Sequence, residues 1–441
     1  MIRVVRGVVS GLVVGLVAGA AAGQVTEWTN PGAGDWFDPG NWSDGVPVTG
    51  DTAWVDNGGT VQISSGVTDI CNHFLIGQVG ASTGTLEITG GTFRSNIVTF
   101  ANGMPAFGDI SGAGTVVEVG ALTLNSSPCT VNFADGTLNA STYLAVGWAS
   151  TGIFNHMSGV ITTPQVILGN LAAGTGFYDM TGGTLNADDM RIAAQGSATF
   201  TQADGVVNAG IIWIPGTTGA GEYQLQGGIL NADVIRRSFS PTSYAFTFTG
   251  GQLNVGIFGQ FLAMDLTCAG GEIVPGGGDV GITTVNGAFD LQAGAAYRVS
   301  TDGTPAADQI RSPQVTLAGA LVLDLGAAPS LTDVFTIIDN QGVDPISGTF
   351  AGIPEGGTVT GTFGGTAYNF AVSYTGGSGN DVVIGSCFGD ATGDGSIDFD
   401  DLNIVLIHWG EPGPEGDLDG SGLVDFDDLN IVLSSWGTGC V

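Results

Sequence analysis

Residues 178–187 read YDMTGGTLNA, residues 223–232 read YQLQGGILNA and residues 246–255 read FTFTGGQLNV. In each copy two apolar residues stand two apart: Tyr178/Met180, Tyr223/Leu225 and Phe246/Phe248, with Leu86/Ile88 as an earlier instance. That spacing puts both on one face of an extended chain. The glycines that follow suit a corner, because positive φ carries no Cβ penalty there. With the second turn glycine as phase marker, the series runs Gly91, Gly114, Gly136, Gly159, Gly183, Gly205, Gly228, Gly251 and Gly271, at gaps of 23, 22, 23, 24, 22, 23, 23 and 20. A period near 23 in strand-like text corresponds to one turn of a solenoid, about three short strands with their corners.

The fold expected is mostly β: a right-handed parallel β-helix, with a β-rich C-terminal cap and a small α-helical module behind it. Three residues beyond the marker an amide recurs, at Asn139, Asn186, Asn208, Asn231 and Asn254. Stacked Asn side chains hydrogen-bond from turn to turn as a ladder; ligands for a polar partner are the alternative use of the same row. The segment Gly182–Ala187 and its copies resemble the β-strand repeats of autotransporter passenger domains and related secreted surface proteins, over residues 28–384. That resemblance implies an extended surface rod. No membrane β-barrel segment follows the repeats, so self-export in the autotransporter manner is not expected.

Around the repeats, the chain divides into 1–23, 24–75, 76–285, 286–386 and 387–441. The first segment reads as a signal peptide, with Arg3 and Arg6 as basic region, Val8–Val17 as apolar core and small residues at Ala18–Ala22. Residues 24–75 carry Trp28, Trp36, Trp42 and Trp54 between turn signals and read as a cap on the open end of the solenoid; an aromatic platform for sugars is the other reading. Residues 76–285 hold the repeats. Residues 286–386 lose the phase but keep strand text at 296–300, 320–325 and 334–339, and read as a C-terminal β cap. GlyGlySerGlyAsnAsp at 376–381 resembles one unit of the calcium-binding glycine-rich nonapeptide repeat, which needs tandem copies to build its sites, and reads as a loop.

The composition agrees with many short strands: 77 Gly and 43% hydrophobic residues, but 11% charged. All eight cations are Arg, and taking away Arg3 and Arg6 with the leader moves the formal charge from −33 to −35. Such a surface repels nucleic-acid phosphate and attracts divalent cations; no nucleic-acid partner is expected, and no membrane span after signal cleavage. Export permits disulfides. Cys387 and Cys440 bracket the tail and are expected to pair, while Cys71, Cys129 and Cys268 read as buried thiols.

The tail writes one text twice, GDATGDGSIDFDDLNIVLIHWG at 389–410 and GDLDGSGLVDFDDLNIVLSSWG at 416–437, at a period of 27. A twelve-residue calcium loop supplies oxygens from positions 1, 3, 5, 7, 9 and 12, with Gly at 6. The first copy offers Asp390, Thr392, Asp394, Ser396, Asp398 and Asp401 around Gly395. The second offers Asp417, Asp419, Ser421, Leu423, Asp425 and Asp428 around Gly422. After each loop Leu402, Val405, Leu406 and Trp409, matched by Leu429, Val432, Leu433 and Trp436, fall at helical spacing. These duplicated units resemble the type I dockerin module, including Asp at position 12. The resemblance implies two bound Ca2+ and a cohesin-like or other exported partner. Thr392 is the weaker ligand at position 3, so the second site is expected to bind tighter. Phe399/Asp400 and Phe426/Asp427 depart from the small hydroxyl pairs of familiar dockerins. Binding and folding are expected to be linked, with the loops opening when calcium is removed.

Dockerin-bearing proteins often act on polysaccharide, and the runner-up expectation is a polysaccharide-acting β-helix enzyme or a glycan-binding protein. Catalysis is not expected, because Arg236/Arg237 and Asp188/Asp189 are adjacent pairs that point to opposite strand faces.

Overall fold

Alternation of inward apolar and outward polar residues, repeated at every turn, closes the chain into a parallel solenoid of about 13 turns. The computed structural model describes residues 23–78, 82–239, 241–304, 306–330, 333–387, 389–412, 415–418 and 421–437. The signal-peptide reading of residues 1–23 falls outside them except at Gly23.

Each central turn contributes three strand segments, and each segment stacks in parallel register on its counterpart one turn earlier. The inward column of the first ladder runs Leu86, Gly108, Val131, Phe154, Tyr178, Phe200, Tyr223 and Phe246. The second runs Phe93, Val117, Leu138, Ile161, Leu185, Val207, Leu230, Leu253 and Ile273. The third runs Val98, Leu122, Leu144, Val166, Met190, Ile212, Ile235 and Phe258. The second and third columns are fully buried. At about 4.8 Å per turn the rod is about 60 Å long.

The marker glycines mark the corner before the second ladder. Gly205 has φ 85° and Gly228 φ 70°, and a Cβ on Gly205 would stand 2.7 Å from the carbonyl oxygen of Gly183. Glycine is therefore required twice over, by backbone conformation and by space. Gly114 is the exception. Thr115 takes the marker's register, its carbonyl accepting from Thr137 N, and the turn is made earlier by Gly112 at φ 88°. The Asn series is also corrected at one place. Asn208 donates to Asn186 at 2.8 Å, Asn231 to Asn208 at 2.8 Å, and Asn254 to Asn231. Asn139 stands two turns away with Thr162 between it and Asn186, so it is outside the ladder.

The N-terminal aromatics close the rod. Trp28, Trp36 and Trp42 are buried, with Trp42 edge-on to both others at 5.0 Å and Trp36 against Phe74 and Phe93. Those three rings are inside the cap and present no face to a sugar.

At the other end the parallel stacking runs on past residue 285. Phe289 pairs with Leu266 and Val315, and Tyr297 with Ile273 and Leu321. Loops such as 274–281 lengthen the turns, so the period disappears from the sequence while the pleat register survives. The closing cap is confined to the antiparallel strands Thr358–Phe363, Thr366–Gly376 and Asp381–Ser386, the last also pairing antiparallel with Val334–Asn340. The GlyGlySerGlyAsnAsp stretch is the turn between the last two cap strands, pinned by the buried Asp381 accepting from Ser378 N and Asn340 N at 2.9 Å each.

In one column beside the first ladder's rings, polar side chains enter the core at two turns. His156 and Gln202 are fully buried in a column otherwise filled by Ile110, Phe133, Met180, Leu225 and Phe248. His156 Nδ1 lies 3.0 Å from Tyr178 Oη, and Gln202 Oε1 accepts from Tyr223 Oη at 2.7 Å. Burial pushes the His156 imidazole down from 6.5 to about 4.

Two outcomes follow. Gly205→Ala is expected to cost about 2 kcal/mol or more in urea unfolding, whereas Gly114→Ala, whose Cβ meets nothing within 4 Å, should stay within about 0.5 kcal/mol; equal costs would contradict the corner assignment. Because the folded chain keeps His156 neutral while the unfolded chain takes up the proton, stability is complete above pH 6.5 and erodes as pH falls towards 4. Asp308, raised to about 6 by burial, acts in the opposite sense. The measurement is therefore a difference: His156→Met with Tyr178→Phe should remove a loss of about 3 kcal/mol between pH 7 and pH 4. Parallel pH profiles for the variant and the parent would exclude this role.

Candidate functional site: the duplicated loop and helix module

Each tail repeat folds as the spacing dictates, a carboxylate-rich loop leading into one helix. The helices are α1 (Phe399–Ile407) and α2 (Phe426–Ser434). Both start at an Asp cap: Asp398 accepts from Asp400 N and Asp425 from Asp427 N, at 2.9 Å each. Both close a capping box, with Asp401 accepting from Asp398 N and Asp428 from Asp425 N at 2.8 Å. Loop positions 9 and 12 therefore double as helix caps, and the negative charge sits where the helix dipole favours it.

The repeats pack on one another reciprocally. Gly410, just past α1, donates to Val424 O at 2.8 Å, and Gly437, just past α2, donates to Ile397 O at 2.9 Å. Ile397 and Val424 occupy the same place in the two loops, and they bury with Val405, Val432 and Cys387 against Ala371 of the cap. Thr358 Oγ1 donates to Gly393 O at 3.1 Å, which seats the first loop on the cap. Cys387 is disulfide-bonded; Cys440, its expected partner, lies outside the described residues. Cys71, Cys129 and Cys268 are free and buried, with thiols pushed up by burial, to about 12 for Cys71 and Cys129.

In the first loop, Asp390 and Asp401 are buried and face a common hydroxyl, with Thr392 Oγ1 at 3.1 Å and 3.0 Å from them. Asp390 also accepts from the amides of Gly393, Asp394 and Gly395. Burial raises its pKa, against the lowering by those amides and the hydroxyl. Asp394, Ser396 and Asp398 are exposed, and Asp394 accepts from Ser396 N at 2.9 Å. In the second loop, Asp417 is half-buried and accepts from Gly422 N at 2.8 Å, the buried Asp428 accepts from Leu418 N at 2.6 Å, and the exposed Ser421 donates to Leu423 O at 3.2 Å. Asp425 is the cap already described, and Asp419 lies outside the described residues. Among the described residues no three His, Cys, Asp or Glu side chains converge closely enough to hold a metal ion. The donor set is nevertheless all hard oxygen, the chemistry a calcium ion requires.

α1 and α2 do not bury the whole of their apolar text. Val405 and Val432 are buried, but Phe399 is 67% exposed, Ile407 61%, Phe426 62% and Leu433 51%, with Trp409 and Trp436 also exposed. The helical spacing was legible in the sequence; which residues face outward was not, because that depends on how the repeats dock.

Of the adjacent pairs weighed as catalytic candidates, Asp189, Arg236 and Arg237 have local partners, and Asp188 is exposed. Asp189 pairs with Arg191 at 3.0 Å, Arg236 lies over the Trp213 ring at 3.7 Å, and Arg237 over Tyr244 at 5.1 Å. No helix among the described residues is long and apolar enough to cross a membrane. No protein family matches the chain, and neither the curated proteins nor the solved structures give a match.

The capping boxes carry a testable consequence. Asp401→Ala leaves Asp398 N and Thr392 N without their acceptor, which costs about 1–3 kcal/mol. In the full chain, in EDTA, hydrogen exchange across α1 should accelerate while the third ladder of the solenoid stays protected. Unchanged protection of α1 would mean that the box does not hold the loop.

Proposed function

We propose that the chain is an exported, non-catalytic β-solenoid rod, attached to a partner through a calcium-dependent dockerin-like tail. The observation that carries this is the pairing of two like units around reciprocal Gly410–Val424 and Gly437–Ile397 bonds, each presenting a carboxylate loop and an exposed apolar helix face. Large exposed apolar side chains grouped on a small module favour a protein partner. Asp400 and Asp427 beside Phe399 and Phe426 favour an apolar surface edged with basic groups, whether cohesin-like or another exported protein. The rod then acts as spacer or display surface.

Calcium enters as the counter-charge. The tail from 387 carries twelve acidic residues and no Lys or Arg, so a divalent ion in each loop would relieve repulsion and fix the loop against its helix. Calorimetric titration of the full chain with CaCl2 after EDTA treatment should give two sites, the second tighter. Thr392→Asp should strengthen the first about tenfold, by adding a ligand charge. Asp401→Ala with Asp428→Ala should abolish both. Absence of calcium-dependent heat and of any calcium-dependent change in tail protection would sink the reading.

A further inference from the structure

The outward side of the Asn ladder lines an open groove of about 990 Å³ along the corner between the second and third ladders. A smaller hollow of about 340 Å³, touching Arg94, Glu118 and Asn139, lies on the same corner nearer the N-terminus. Register joins them. Arg94 pairs with Glu118, Glu118 with Asn139, Asn139 with Thr162, and Thr162 with Asn186. The two hollows therefore lie over successive positions of one ladder, parallel to the rod axis. The eight positions from Arg94 to Asn254 span about 34 Å at about 4.8 Å per turn.

The floor has unspent hydrogen-bonding capacity at a fixed repeat. A carboxamide offers two N–H donors and two acceptor lone pairs. Asn208 and Asn231 each spend one N–H on the turn before and one lone pair on the turn after, which leaves one donor and one acceptor per turn for the groove. The far end is walled by Gly276 and Gly277, both at positive φ. Their backbone folds over the ladder so closely that a Cβ on Gly277 would stand 3.1 Å from Asn254 Nδ2.

The lining selects by chemistry. No Arg or aromatic ring lines the larger groove among the described residues, and the exposed carboxylates of Asp188 and Asp233 stand at its side. Polyanions are repelled and an apolar peptide finds no platform. A donor and an acceptor at every turn, spaced close to the length of one sugar unit, match a linear chain of hydroxylated units. We infer that this groove binds an uncharged linear polysaccharide laid along the rod, with Asn186, Asn208, Asn231 and Asn254 as the reading row. The site is separate from the tail, so binding is independent of calcium.

The test is affinity electrophoresis of the full chain, in EDTA, through gels containing mixed-linkage β-glucan, galactomannan, dextran or polygalacturonate. At least one neutral polymer should retard the parent chain, and polygalacturonate should not. Asn208→Leu with Asn231→Leu removes the reading groups, and Thr162→Glu places a carboxylate in the same row from an exposed position without touching the ladder bonds. Each should weaken retardation at least tenfold, with the unfolding midpoint of Thr162→Glu unchanged. Should the double Leu variant fail to fold, Thr162→Glu alone decides. No retardation by any neutral polymer, retardation that survives Thr162→Glu, or a preference for polygalacturonate overturns the inference.

Discussion

In-register stacking governs this molecule: every inward side chain rests on the residue one turn before it and under the residue one turn after. A residue's volume is therefore a constraint on its neighbours in the column and across the core. From Phe154 to Phe246 the first column is five rings deep, stacked at 4.6 to 5.7 Å with interplanar angles of 10° to 28°. Offset stacking at the turn spacing lets flat rings fill a column without strain. Nearer the N-terminus the same column reaches Gly108, where a Cβ would stand 2.8 Å from the Phe100 ring. There the third ladder supplies the bulk and the first gives way. The core holds its density by exchanging volume between ladders at one level.

Polar groups obey the same geometry. A tyrosine in a buried column brings a hydroxyl that needs a partner: in the first ladder it comes from the turn before, His156 for Tyr178 and Gln202 for Tyr223, while Tyr297 donates to the carbonyls of Asp308 and Ile337. Gln202 also donates to Ile229 O at 2.9 Å, so the amide is satisfied on both sides. Removing one member of such a pair strands the other, whereas Phe200 and Met180 show that the same columns accept apolar residues at the intervening turn. On the outside, Asn132 donates to Asp109, and Asn155 to Asn132 at 2.8 Å, a second amide column in which Asn132 and Asn155 each stand four residues before their turn glycine.

What could be read in the sequence is what repeats locally. The Gly-Gly corner, the apolar pairs two apart and the Asn offset are one turn's own chemistry, and they locate the ladders. The slips occur where a turn changes length. Gly114 sits in a loop whose positive-φ corner moved to Gly112, so counting glycines keeps the period but misses that Thr115 carries the register. Past residue 285 inserted loops erase the period although the ladders continue, because hydrogen-bond register is indifferent to what a corner contains. In the tail the loop residues were legible from spacing alone. Their orientation was not, since Asp398, Asp401, Asp425 and Asp428 are also the caps that start α1 and α2, and capping turns carboxylates towards backbone amides.

The charge distribution follows from the rod as well. Arg94 bonds Glu118, and Arg298 bonds both Glu272 and Asp324, each pair a turn apart in sequence. These arginines tie turn to turn on a half-exposed surface, where each tie is worth at most about 1 kcal/mol. They leave the large acidic excess uncompensated, at a formal charge of −33. A long object with that field keeps polyanions and its own copies at a distance while raising the local concentration of divalent cations. The acidic tail lies where this field and the helix N-termini act together: the carboxylates that cap α1 and α2 are among the twelve acidic residues carried from 387 onward. The Asn-lined channel is its counterpart. Its neutral amide floor is set among carboxylates, so the field that draws cations to the tail keeps polyanions out of the channel.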